Sequence, residues 1–142
     1  MIAEAAAYYA DQDMTLWDAL CRLFEKYGYH KEKVLNIEMN GIDAAKKMEG
    51  LMKALRESQI EKIGGVSVSE VRDYQQGIEG LPPADVLYYR MADGSVIIVR
   101  PSGTEPKMKI YIMTNASGES EAGEKIKDFE QDFSNRIKKV TG

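Results

Sequence analysis

The feature that most constrains this chain is an eight-residue segment, Arg100-Pro101-Ser102-Gly103-Thr104-Glu105-Pro106-Lys107, set between two apolar runs. The runs, Ser95 to Val99 and Met108 to Met113, are rich in Val and Ile and read as strands. A proline near each end of the segment removes a backbone donor and fixes φ, so the ladder is expected to stop there and the connection to hold its shape. The two strands and their connection therefore predict a hairpin with a polar tip. Pairing as a hairpin would set Arg100 opposite Lys107 across the mouth of the loop. Alternation sends Lys107 and Lys109 to one side of the second strand, and Met108, Ile110 and Ile112 to the other.

The tip carries donors. Ser102 and Thr104 offer hydroxyls, and Gly103 permits positive φ or a close approach by a ligand. Successive backbone N–H groups in such a turn can form an anion-binding nest. A guanidinium, two lysines and two hydroxyls around a glycine turn match what a phosphate monoester requires: a fork, fixed positive charge and neutral donors. A polar turn with solvated lysines accounts for the same residues. On the residues alone the two readings stand level.

The run R-P-S-G-T-E-P-K-M-K-I-Y-I resembles the signature of the last domain of the α-D-phosphohexomutases, the family of phosphoglucomutase, phosphomannomutase and phosphoglucosamine mutase. In that family an R-x-S-x-T loop on the fourth domain grips the phosphate of the substrate sugar. The resemblance assigns substrate-phosphate binding to Arg100, Ser102, Gly103 and Thr104, with Lys109 as a further basic residue. Lys107 points the right way by alternation, and Glu105 matches the family sequence without an evident physical role. K-M-K-I-Y-I is similar to the phosphoglucomutase/phosphomannomutase branch; the glucosamine branch usually reads R-V-M there.

The rest of the chain fits a small α+β fold. Its 142 residues allow one domain with an appendage and bury about two-thirds of the unfolded surface. The net charge of −4 argues against a nucleic-acid partner, so any anion site must be a local positive cluster. No apolar run approaches a membrane span, and Cys21 is alone, which fits a reducing cytoplasm. Met1 to Ala10 reads as the back end of a helix. Thr15 caps a second helix, with Asp18 completing a variant capping box and Leu16, Leu20, Leu23, Phe24 and Tyr27 on one face before Gly28. This short hairpin buries little by itself and needs a partner surface.

Lys33 to Met39 reads as a strand. Asp43 to Glu57 reads as a helix with Ala45, Met48, Met52 and Leu55 in a stripe and Leu51 beside it. Gly64-Gly65 marks a turn, Val66 to Tyr74 a strand, and Gln75 to Ala84 a loop. Val86 to Met91 and Val96 to Val99 are strands joined by Asp93-Gly94, and the unbroken apolar run of the latter predicts a central strand covered on both faces. Lys107 to Thr114 is the next strand. Glu119 to Val140 is a long helix with Ala122, Ile126, Phe129, Phe133, Ile137 and Val140 stepping by three and four. Strand, helix, four strands, helix predicts an antiparallel sheet with its helices on one face.

That order is also the β-α-β(4)-α arrangement of the mutase fourth domain, a TATA-box-binding-protein-like fold. The resemblance further implies that residues 1–30 are the helical end of a preceding, third domain and residues 31–142 the phosphate-binding domain. M-T-L-W-D-A-L and Y-G-Y-H resemble that helical segment. The implied activity is reversible phosphoryl transfer between the 1- and 6-positions of a hexose. In that reaction this part would bind the phosphate not being transferred and close the cleft.

Catalysis in the family uses a phosphoserine, a magnesium ion held by a D-x-D-x-D-R loop and a sugar-reading G-E-x-S-G-H-type loop, and none of these motifs occurs in this chain. The resemblance thus implies a segment inactive alone, with no catalytic residue and no metal of its own. Its partners would be a glucose or mannose 1- or 6-phosphate and the missing N-terminal domains, with no nucleic acid and no membrane. A stand-alone anion-binding or protein-interaction module is the competing class. Phosphopentomutase or phosphoglucosamine mutase is the alternative within the family.

Overall fold

The structure, a computed structural model, describes residues 1–78 and 80–141. Glu79, inside the expected loop, and Gly142 lie outside the described residues.

Helix α1 (Ile2–Ala10) and helix α2 (Leu16–Tyr27) form the expected hairpin. The capping box is made: the Asp18 N–H donates to the Thr15 hydroxyl at 3.1 Å, and the Thr15 N–H donates to the Asp18 carboxylate at 2.8 Å. The hairpin keeps an apolar surface open, with Trp17 65%, Leu23 49% and Tyr27 60% exposed.

Strand β1 (Tyr29–Glu38) begins four residues before the expected start, because it pairs along its whole length with the strand that follows the polar tip. Its charged first half masks the alternation, as an edge strand wets both faces. Helix α3 (Ala44–Glu57) buries Ala44, Leu51, Met52 and Leu55. Ala45, expected on that stripe, is exposed; the buried positions run 44, 51, 52 and 55, with Met48 half-buried between them.

A short strand β2 (Lys62–Ile63) was not expected, since two residues carry no readable period. It turns through Gly64-Gly65, at φ 53° and 81°, into β3 (Val66–Asp73). A Cβ at Gly64 would come within 2.7 Å of the Phe129 ring, so this turn presses its backbone onto the core. A 3-10 turn (Tyr74–Gln76) leads to β4 (Leu87–Met91), β5 (Val96–Pro101), β6 (Lys107–Ala116) and helix α4 (Glu119–Thr141). Five strands thus follow α3 rather than four. The sheet order is β1-β6-β5-β4-β3-β2, and every neighbouring pair is antiparallel.

The core lies between one sheet face and helices α3 and α4. It is built from Leu51, Met52, Leu87, Tyr89, Ile97, Val99, Met108, Ile110, Ile112, Phe129 and Phe133. Strand β5 is central in the order, but its cover is one-sided. Ile97 and Val99 are buried, whereas Val96 and Ile98 are half-buried on the opposite, open face. Val140, at the end of the α4 stripe, is 45% exposed. Arg56 of α3 donates to Asp73 at 2.9 Å and also meets Asp85, tying the helix to the end of β3.

Lys125 ties α4 to the β4–β5 turn. It meets Asp93 at 2.9 Å, Glu121 at 3.0 Å and the Asn115 carbonyl at 2.8 Å. Burial raises the Asp93 carboxyl, but Lys125 and the Ser95 N–H outweigh it and hold it below its usual range. Hydrogen bonds from Ser117 and Lys125 hold Glu121 down at about 2. Both folded-state values are depressed, so the stabilisation is present above the ordinary carboxylate range and is lost as pH falls through the folded values.

Two measurements check this packing. Glu121→Gln should lose less stability than the parent as pH falls from 4.5 towards 2 in urea titrations, and parallel pH profiles would contradict the linkage. The buried Tyr89 hydroxyl has no hydrogen-bond partner among the described residues, and burial pushes it up to about 12. Removing an orphaned buried hydroxyl leaves the ring contact with Phe133 intact. Tyr89→Phe is therefore expected to hold or raise stability by about 1 kcal/mol, and a loss of that size would reveal a bond to the hydroxyl.

Candidate functional site

The polar tip is positioned by the β5–β6 ladder. Its register pairs Pro101 with Met108 and Arg100 with Lys109. Lys107 therefore does not face Arg100 as the hairpin reading expected; its cross-strand partner is Glu38 on β1. Pro101 ends β5 inside the ladder, and the Ser102 N–H donates to the Lys107 carbonyl at 2.8 Å, so Lys107 closes the loop against Ser102, two residues beyond Arg100. The tip is also braced from the side, where the Met39 N–H donates to the Pro106 carbonyl at 2.9 Å.

Alternation then sorts the side chains. Met108, Ile110 and Ile112 enter the core, and Lys107, Lys109 and Tyr111 stand on the open face. Across the sheet, one row reads Asn36, Lys109, Arg100 and the next reads Val34, Tyr111, Ile98, Tyr88. Like charges directly opposite each other in an antiparallel pair are destabilising. Arg100 and Lys109 stand in that relation, and neither makes a salt bridge among the described residues. Their lateral neighbour, Asn36, is neutral.

Lys107 is different. It meets Glu105 at 2.5 Å, and Glu38 lies opposite. The hydrogen bond from Lys107 holds the Glu105 carboxyl below its usual range, with Lys107 and then Lys109 adding through their charge. Glu105, whose role the sequence left open, thus neutralises one of the three cations.

The loop itself departs from the expected nest. None of residues 100–107 has positive φ, so Gly103 supplies no left-handed step. A Cβ at Gly103 would meet nothing within 4 Å, so the glycine leaves open space at the tip. The N–H groups of Gly103, Thr104 and Glu105 make no backbone hydrogen bond among the described residues. Thr104 is exposed and Ser102 half-buried. The expected residues Arg100, Ser102, Gly103, Thr104 and Lys109 therefore sit together at one end of the open face, with Asn36 beside them. Strand pairing brings Asn36 there, and sequence spacing gives no sign of it.

Among the described residues, no group of three or more His, Cys, Asp and Glu side chains could hold a metal ion. No helix of the described residues is long and apolar enough to cross a membrane.

The profile of the phosphoglucomutase/phosphomannomutase C-terminal domain matches residues 35–132. The chain belongs to this family. Its similarity to curated phosphoglucomutases runs along nearly the whole chain. It is 30% identical to the enzyme of Staphylococcus saprophyticus over 135 residues, covering 87% of this chain and 24% of that protein. It is 26% identical to the enzyme of Staphylococcus haemolyticus over 140 residues, covering 91% of this chain and 25% of that protein. The chain therefore spans about a quarter of the length of these relatives. Among solved structures it is similar in fold to pp63/parafusin, a phosphoglucomutase from Paramecium in its open form. The TM-score is 0.56 at 16% identity, over 94% of this chain and 24% of that one.

The electrostatics of the tip give a direct test. Replacing Glu105 by Gln frees Lys107 and removes an exposed negative charge. If the tip takes an anion, Glu105→Gln should tighten inorganic phosphate by about two- to fivefold at low ionic strength, with the gain shrinking as salt is added. Unchanged or weaker binding in calorimetry would show that the carboxylate does not oppose an anion there.

Proposed function

We propose that this chain is the phosphate-gripping end of a phosphohexomutase of the phosphoglucomutase/phosphomannomutase type. The observation that carries the reading is the opposed, unneutralised pair Arg100 and Lys109 beside three uncommitted N–H groups at the hairpin tip. A dianionic phosphate placed there relieves the repulsion between the two cations and takes up the free donors. Arg100 supplies the fork, Lys109 fixed charge, and Ser102 and Thr104 neutral donors. Gly103 leaves room for the phosphate oxygens against the backbone.

The chemistry of the whole enzyme lies elsewhere. A tip that only holds a phosphate contributes alignment to an isomerisation between the 1- and 6-phosphates of glucose or mannose. The same tip would hold either end of the sugar in turn. It would also close over the cleft and exclude water. Magnesium, which neutralises charge on a transferring phosphoryl group, would be held by residues outside this chain, as would the nucleophile. Residues 1–30 would be the end of a preceding domain, which the exposed apolar side of α2 supports. The segment alone would be inactive.

Arg100→Ala in the full-length mutase should lower kcat/KM by about 2–4 kcal/mol in free energy, as expected for a lost charge-assisted contact. An unchanged kcat/KM would sink the assignment.

A further inference from the structure

The row next to the cations has a composition of its own. Val34, Tyr111, Ile98 and Tyr88 lie side by side across four strands, directly adjacent to Asn36, Lys109 and Arg100. Val34 is 45% exposed although it is apolar, and Tyr111 and Ile98 are half-buried. Among the described residues no helix covers this face, because α3 and α4 both pack on the other. Tyr111 lies two residues along β6 from Lys109, about 7 Å away and on the same side.

The two tyrosines of the row are not equivalent. The Tyr88 ring already faces the Arg72 guanidinium at 5.6 Å. Tyr111 has no ring contact of this kind among the described residues, and its hydroxyl makes no hydrogen bond there.

We propose that Tyr111, backed by Ile98, is the sugar-contacting residue of this domain. It would form an apolar platform for the carbon face of the hexose whose phosphate is held at Arg100 and Lys109. The inference rests on the phosphate reading above and adds to it the position of the ring. A hexose phosphate has two chemically unlike ends, a dianion and a pyranose with an apolar C–H face. The open face has two neighbouring rows, one carrying the two cations and the other two tyrosines among aliphatic residues, two residues apart along each strand. Aromatic platforms with a few placed polar groups are how sites fix the orientation of small ligands. The Tyr111 hydroxyl would add a donor and acceptor for the sugar's own hydroxyls.

The test compares inorganic phosphate with glucose 6-phosphate on the 142-residue chain by NMR and calorimetry. Both ligands should shift the amides of Ser102 to Glu105. Only the sugar phosphate should also shift the Tyr111 ring and the Ile98 methyls, and it should bind about three- to tenfold tighter. Tyr111→Ala should bring that ratio to one while leaving the phosphate Kd within about twofold, which also reports that the variant is folded. Tyr111→Phe should keep most of the ratio. If both ligands shift the tip and the ratio survives in Tyr111→Ala, this inference is overturned and the phosphate reading stands. If neither ligand shifts the tip, the phosphate reading falls, and this one with it.

Discussion

The pairing of β5 with β6 decides both the core and the site. Its register sets Ile97 against Ile112 and Val99 against Ile110 inside, and Arg100 against Lys109 outside. A slip of one residue would turn Met108, Ile110 and Ile112 to water and drive the lysines beneath α4. Burial of those three side chains, each worth about 1.5–3 kcal/mol, makes that slip prohibitive. The cation pair is therefore held in place by the hydrophobic core on the other side of the same strands. Its local repulsion is small beside what enforces it.

On the proposed function, such a site would be preorganised by its scaffold and relaxed by its ligand. Two facing cations that make no salt bridge among the described residues are a local conflict, which the proposed anion would relieve. Neighbouring positions show how the conflict is limited. Lys107 is paired with Glu105 and stands across from Glu38, so only two of the three cations remain uncommitted. The brace from Met39 to Pro106 fixes the tip without using the N–H groups of Gly103, Thr104 and Glu105. On the proposed function these features would suit a domain that lends alignment to chemistry performed elsewhere in the enzyme.

Much of this was legible in the sequence where a residue's role depends on its near neighbours. Thr15 and Asp18 announced their capping box, Asp93-Gly94 its hairpin, and the stepping of Ala122 through Ile137 the buried face of α4. The same held for the side of β6 on which Lys107 and Lys109 stand. What could not be read depended on pairing between distant strands. The facing partner of Arg100 hinged on whether Lys107 closed the loop against Arg100 or, as it does, against Ser102. Asn36 reaches the site through a ladder spanning some seventy residues of chain. Strand β2 is too short for any period, and the one-sided cover of β5 depends on where two helices choose to lie. The unbroken apolar run of β5 concealed this, because its outward residues form a second apolar row beside the cations.

The most direct test of the central claim is a titration of the 142-residue chain with inorganic phosphate, followed through the side-chain Nε–Hε signal of Arg100 and the amides of residues 102–105. Coherent, saturable shifts at Arg100 and the tip, abolished in Lys109→Gln and weakened by salt, are what the opposed cation pair predicts. Saturable binding that spares Arg100, or shifts that survive the loss of Lys109, would show that the two cations do not act as one site.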